Sequence, residues 1–101
     1  QTRNGGIDIQ VSRGTEAVAI FDGVVSKVFV VPGYLNSIII RHGNYLTVYA
    51  NLQNVSVRAG QKVKTGQVLG TVASDDEGQY GVMQFQVWHE RNKLNPQAWI
   101  R

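Results

Sequence analysis

Tyr80-Gly81-Val82-Met83-Gln84-Phe85-Gln86-Val87 is the stretch on which the reading of this chain turns. Side chains alternate along a strand, so Val82, Gln84 and Gln86 share one face while Met83, Phe85 and Val87 share the other. The second set is wholly apolar and belongs in a core. The first set puts one valine and two neutral amides on the opposite face.

The same alternation recurs upstream. Ile7-Asp8-Ile9-Gln10-Val11 reads as a half-buried strand. Ala17 to Phe21 is a second strand, which Asp22-Gly23 closes with a hairpin signal. Val24 to Val31 is mostly β-branched or aromatic and predicts a long third strand. After a loop at Pro32 to Asn36, Ser37–Arg41 and Tyr45–Ala50 form a hairpin about His42-Gly43-Asn44. Leu52 to Val57 leads into Arg58–Gly70, where spaced glycines predict short strands and tight turns. Ser74 to Gln79 reads as an exposed loop. Downstream, the strand that begins at Tyr80 is expected to run through Trp88 and His89. Asn95-Pro96 is suited to open one helical turn.

No helical periodicity persists for more than about one turn, whereas strands recur every ~8–12 residues. The predicted class is all-β, a sandwich or small barrel. The 101 residues make one domain, 1–101, with a single modest core. No apolar run approaches the ~20 residues of a membrane span. The abrupt start at Gln1 is expected of a C-terminal part of a longer protein.

The net charge of +3 comes from ten Lys and Arg scattered along the chain, without the dense footprint of a nucleic-acid binder. The absence of cysteine excludes disulfides and thiolate zinc sites. His42 and His89 stand alone, with no H-x-H or H-E-x-x-H spacing, and His42 is expected to be an exposed, structural turn residue. No serine lies in a nucleophile elbow, and the glycines from Gly60 to Gly70 precede no phosphate-loop lysine. A biotinyl or lipoyl carrier would need its lysine in a Met-Lys-Met or Asp-Lys-Ala hairpin, and neither occurs. The residues alone describe a β domain without a catalytic constellation.

The order of short motifs adds a resemblance along almost the whole chain. Asn4-x-Gly6-Ile7-Asp8-Ile9 is followed by Asp22-Gly23-Val24-Val25 and by Arg41-His42-Gly43-Asn44. Thr47-Val48-Tyr49-Ala50-Asn51-Leu52, Gly60-Gln61-Lys62-Val63-Lys64-Thr65-Gly66-Gln67-Val68-Leu69-Gly70, Gln84-Phe85-Gln86-Val87 and Asn95-Pro96 complete it. Taken together these resemble the LytM, or lysostaphin-type, zinc endopeptidase domain. The resemblance implies a duplicated hybrid motif, with antiparallel sheets in a sandwich and a groove over a central sheet.

Active members of that family carry H-x-G-x-D, Tyr-Ala-His and H-x-H. The resemblance places Asn4, Asp8 and Gln84 at the zinc-ligand positions and Asn51 and Val82 at the catalytic histidine positions. Only Asp8 keeps a family residue. Neutral amides are poor zinc ligands beside imidazole, one carboxylate alone does not hold a catalytic zinc, and no general base remains. The expectation is therefore no peptidase activity, no metal and no cofactor.

Degenerate domains of this kind resemble the murein hydrolase activators of the EnvC and NlpD kind, which act on cell-wall amidases in the bacterial periplasm. The resemblance implies an amidase as protein partner, bound in a groove formed by Asn4, Asp8, Tyr34, Tyr49, Asn51, Tyr80, Val82 and Gln84. Peptidoglycan binding or scaffolding is the alternative, with a residual metallopeptidase behind it. Asp8 is expected to serve a structural hydrogen bond, because a buried carboxylate without partners is costly.

Overall fold

The computed structural model describes residues 6–31, 34–74 and 78–89. Eight strands follow one another: β1 (Ile7–Ser12), β2 (Glu16–Val18), β3 (Gly23–Val31), β4 (Tyr34–His42), β5 (Tyr45–Gln53), β6 (Lys62–Val63), β7 (Val68–Val72) and β8 (Tyr80–His89). No helix is present among the described residues, hence none that is long and apolar enough to cross a membrane. The all-β expectation holds, and so does the long last strand through His89.

The main sheet runs β1-β8-β5-β4-β3-β6, with every pair antiparallel. At its far end β5 also pairs with β7, through Leu52↔Val72 and Gln53↔Thr71, and β7 carries β2. The β2–β7 ribbon thereby folds over one face of the main sheet. Ala17, Leu69 and Val72 from the ribbon bury against Ile38, Ile40, Tyr49 and Leu52 from the sheet. Met83 and Phe85 pack on the edge of this cluster, as alternation along β8 requires. Each fully buried Leu or Ile contributes about 1.5–3 kcal/mol relative to exposure, so this one layer holds the sandwich together.

The Asp22-Gly23 hairpin does not form. β2 pairs with β7, whereas β3 pairs with β4 and β6. The dipeptide instead makes a crossover between layers. Thr65 donates to Asp22 Oδ1 from its backbone N–H at 2.7 Å and from its hydroxyl at 2.9 Å. Gly23 has a steric reason to be glycine: a Cβ there would sit 2.5 Å from the Arg41 carbonyl oxygen and 2.7 Å from His42 Nδ1. The loop expected at Pro32 to Asn36 is shorter than the sequence suggests, because β4 has already begun at Tyr34. The helical turn expected at Asn95-Pro96 lies outside the described residues.

His42 is half-buried at the end of β4 rather than exposed in a turn. Its Nδ1 lies 2.7 Å from the Asp22 carbonyl oxygen and its Nε2 lies 2.7 Å from Thr47 Oγ1. A carbonyl only accepts, so Nδ1 donates to it, and Nε2 pairs with the Thr47 hydroxyl. Phe21 packs edge-on against the ring at 5.7 Å. Its role is structural: it ties the crossover to the β4–β5 hairpin.

Candidate functional site

The register fixes which side chains share the face turned away from the core. Directly opposed residues in neighbouring strands point to the same side. Asp8 opposes Gln84, Gln84 opposes Ala50, Ala50 opposes Ser37, and Ser37 opposes Phe29. The next row along the strands is Gln86, Val48, Ile39 and Lys27. A third row is Trp88, Leu46, Arg41, Val24 and Lys62. The residues between these rows, including Thr47, Tyr49, Ile38, Ile40 and Val25, are buried on the other side.

These rows floor a groove. One depression of about 360 Å³ lies over Phe29, Ile39, Val48, Gln84, Gln86 and Trp88. A smaller one of about 150 Å³ continues it toward β1, over Gly6, Asp8, Gln84 and Gln86. The floor mixes apolar surface with amide donors and acceptors. The Trp88 indole N–H donates to Gln86 Oε1 at 2.8 Å, which fixes both side chains in one orientation.

Asn51 and Val82 meet at one end of this surface. Asn51 Nδ2 donates to the Val82 carbonyl oxygen at 2.7 Å, across from β5 to β8. Asn51 adopts φ 73°, a left-handed conformation that Asn tolerates better than most residues with a Cβ. Its own carbonyl accepts from Ala73 N–H at 2.9 Å. The turn therefore links β5 to both β8 and the segment after β7. Val82 is 41% exposed, and Tyr80, two residues earlier on the same face, is 59% exposed.

The residues expected in the groove do not all lie there. Asp8, Gln84, Val82, Asn51 and Tyr80 stand on or beside the groove face. Asn4 lies outside the described residues, as does the side chain of Tyr34. Tyr49 is not a groove residue. It is 1% exposed, lies in the core, stacks at a tilt on Phe85 at 5.3 Å and accepts from Ile20 N–H through its hydroxyl at 3.3 Å. Alternation explains the correction: Tyr49 opposes Phe85 and Ile38, both core-facing, whereas its neighbours Val48 and Ala50 face the groove. Asp8 is exposed, so the cost expected of a buried carboxylate does not arise.

Phe29, Ile39, Val48 and Trp88 were not singled out by sequence reasoning. A signal for them existed in Ile38-Ile39-Ile40, where an uninterrupted apolar run gives a strand apolar side chains on both faces.

Among the described residues, the donor set at these positions does not fit zinc. Asp8 supplies a carboxylate, Gln84 supplies a neutral amide and Val82 supplies no donor. The Asn51 amide nitrogen is already committed to the Val82 carbonyl. No group of three or more His, Cys, Asp or Glu comes together among the described residues.

Comparison with known proteins places this geometry. Residues 2–96 match the profile described as Peptidase family M23. The chain is 36% identical over 99 residues to a protein of Salmonella typhimurium named murein hydrolase activator NlpD, covering 96% of this chain and 26% of that protein. It is 44% identical over 64 residues to a protein of Haemophilus influenzae named an uncharacterized metalloprotease, covering 61% of this chain and 14% of that protein. Among solved structures, Csd3 of Helicobacter pylori superposes with a TM-score of 0.74 at 28% identity, over 95% of this chain and 26% of that one. The chain thus spans about a quarter or less of these relatives.

Proposed function

The chain belongs to peptidase family M23, and from that premise we propose that it acts as a non-enzymatic activator of peptidoglycan amidases. It works in the bacterial envelope, on the periplasmic side, in cell-wall remodelling and daughter-cell separation. The groove face of β8 receives a regulatory segment of an N-acetylmuramoyl-L-alanine amidase.

One observation carries this reading. The positions that the resemblance assigns to zinc and to catalytic histidines hold Asp8, Gln84, Asn51 and Val82, a set that offers hydrogen bonds and apolar contact without a metal site or a general base. The likeness to a protein named as a murein hydrolase activator supports the same conclusion.

The mechanism is a shift of population. An amidase that masks its own site with a flexible segment opens in proportion to the difference in affinity of the groove for the free and the masking forms. A tenfold shift requires about 1.4 kcal/mol. A few anchors buried against Trp88, Val48 and Phe29 suffice for that, since a handful of buried contacts dominates most interfaces.

The test is an amidase activation assay with this chain alone, run beside zinc analysis and a peptidoglycan zymogram. Wild type is expected to activate the amidase and to leave peptidoglycan intact by itself. Val82→Arg and Tyr80→Asp, both at exposed positions, are expected to abolish activation with unchanged folding. Lytic activity of the chain with stoichiometric zinc would establish the peptidase reading instead. Retention on purified sacculi without effect on any amidase would establish the scaffolding one.

A further inference from the structure

The groove face is graded in charge along the order of the strands. At the β1 edge stands Asp8, followed by the neutral amides Gln84 and Gln86 on β8. On the opposite side stand Lys27 on β3, Arg41 on β4 and Lys62 on β6, all on the groove face by register. Arg41 and Lys62 flank Val24 from either side, so their backbones are two strand spacings, about 10 Å, apart. The Lys27 ammonium lies 5.9 Å from the Phe29 ring centroid, along the wall of the apolar floor.

Lys64 joins Arg41 and Lys62 in a depression of about 550 Å³ beside His42. The carboxylate that lines it, Asp22, already accepts two hydrogen bonds from Thr65. Cationic groups therefore outnumber anionic ones along this side of the groove.

We infer that the segment the groove accepts is an amphipathic peptide with an acidic flank, whose carboxylates dock against Lys27, Arg41 and Lys62. This rests on the activator reading and names the chemistry of its partner segment. The apolar strip of Phe29, Ile39, Val48 and Trp88 takes the apolar face of the segment. The cations beside that strip take its acidic flank, and Asp8 at the other edge repels the same flank. The two ends of the gradient thus set the orientation of the segment across the sheet. A polyanion held by its backbone would instead need cations along both sides of the floor, and one side carries amides and Asp8.

Charges on the rim of an interface act mainly on the rate of association and on its salt dependence. The experiment measures association and dissociation rates of the chain with a purified N-acetylmuramoyl-L-alanine amidase from the same bacterium, at 50 and 300 mM salt. These concentrations bracket Debye lengths of about 14 and 6 Å. The variants are Lys27→Glu with Lys62→Glu, and Lys27→Gln with Lys62→Gln, each checked for wild-type melting.

Wild type is expected to associate several-fold faster at low salt. The Gln pair is expected to flatten that dependence, and the Glu pair to slow association by about tenfold and invert it. Dissociation is expected to change far less. Wild-type rates and an unchanged salt slope in folded variants would overturn the acidic flank while leaving the activator reading in place, and so would faster association of the Glu pair. Failure of the wild type to bind or activate any amidase, or salt-sensitive binding to sacculi alone, would overturn both.

Discussion

The bond from Asn51 to Val82 joins the groove to the fold, and its loss has a size that the geometry sets. Asn51→Ala removes an amide donor at 2.7 Å from the Val82 carbonyl and leaves a residue with a Cβ at φ 73°. The lost hydrogen bond is worth about 1 kcal/mol net. The left-handed backbone costs alanine about 1 kcal/mol more, because Ala lacks the local polar contacts that let Asn rest there. Asn51→Ala is therefore expected to destabilise by about 2 kcal/mol. Asn51→Gly loses the same bond and is freed from the steric cost, so it is expected to destabilise by about 1 kcal/mol. In a domain of this size that difference separates the two melting temperatures by about 4–8 °C. Amidase activation should respond otherwise. Both variants lose the hold on Val82 equally, so both should need about fivefold more protein for half-activation, the equivalent of ~1 kcal/mol. Urea unfolding with calorimetry reads the first comparison, and an activation titration reads the second. Equal or reversed stabilities of Ala and Gly would refute the backbone argument. Activation that tracked stability, with Ala far worse than Gly, would refute the local role of the bond.

Other expectations follow from single contacts. His42→Ala should cost about 2–3 kcal/mol, because it strips the imidazole partner from the Thr47 hydroxyl, which is fully buried. In a Thr47→Val background the same change should cost about 1 kcal/mol less, as a urea double-mutant cycle would show. Gly23→Ala should destabilise by at least about 1–3 kcal/mol, since its Cβ would meet the Arg41 carbonyl at 2.5 Å, where backbone has little room to yield. The backbone N–H of Thr65, then its hydroxyl, with Lys64 and His42 nearby, hold the Asp22 carboxyl below its ordinary 3.8. A depressed folded value means that Asp22 stabilises the fold above 3.8, and that this stabilisation disappears as the pH falls through the lower folded value. Asp22→Asn should accordingly lower stability at neutral pH and flatten the acid limb of the unfolding midpoint as the pH falls through and below 3.8.

The strands were legible because the chain alternates cleanly where one face is buried. β1 and β8 could be read almost to the residue from Ile7-Asp8-Ile9-Gln10-Val11 and from Tyr80–Val87. Pairing was less legible. Asp22-Gly23 is a sound turn signal, but a dipeptide cannot report that β2 will be claimed by β7, more than fifty residues along the chain. The same limit explains Tyr49. Its position within a motif suggested the groove, whereas the face it takes follows from a register that only the neighbours Phe85 and Ile38 define. A strand shifted by one residue exchanges its two faces, so a motif read without register assigns the right strand and leaves the face undetermined. The groove floor was hidden for a related reason. Ile39, Val48 and Phe29 look like core residues by type, and only the sheet order gathers them beneath one depression.

That division of faces also lets the groove side chains of this domain vary while the fold is kept. The cluster that holds the layers together contains Ile38, Ile40, Tyr49, Leu52, Leu69 and Val72, with Met83 and Phe85 packed on it. All of these lie on the side of the sheet opposite the groove. Asp8, Val82 and Gln84 sit on strands β1 and β8 whose core-facing neighbours supply the packing, so a change of side chain at those positions removes no apolar area from the core. Asn51, on the groove side, bears on stability through its bond to a backbone carbonyl. A hydrolytic site needs several donors held together about one ion, whereas a docking groove needs an apolar strip, a few amides and a bias in charge. This sheet face carries the second set on a core that is indifferent to the first. Under the proposed docking, Trp88, Val48, Lys27 and Lys62 lie outside the cluster of residues that folds the chain.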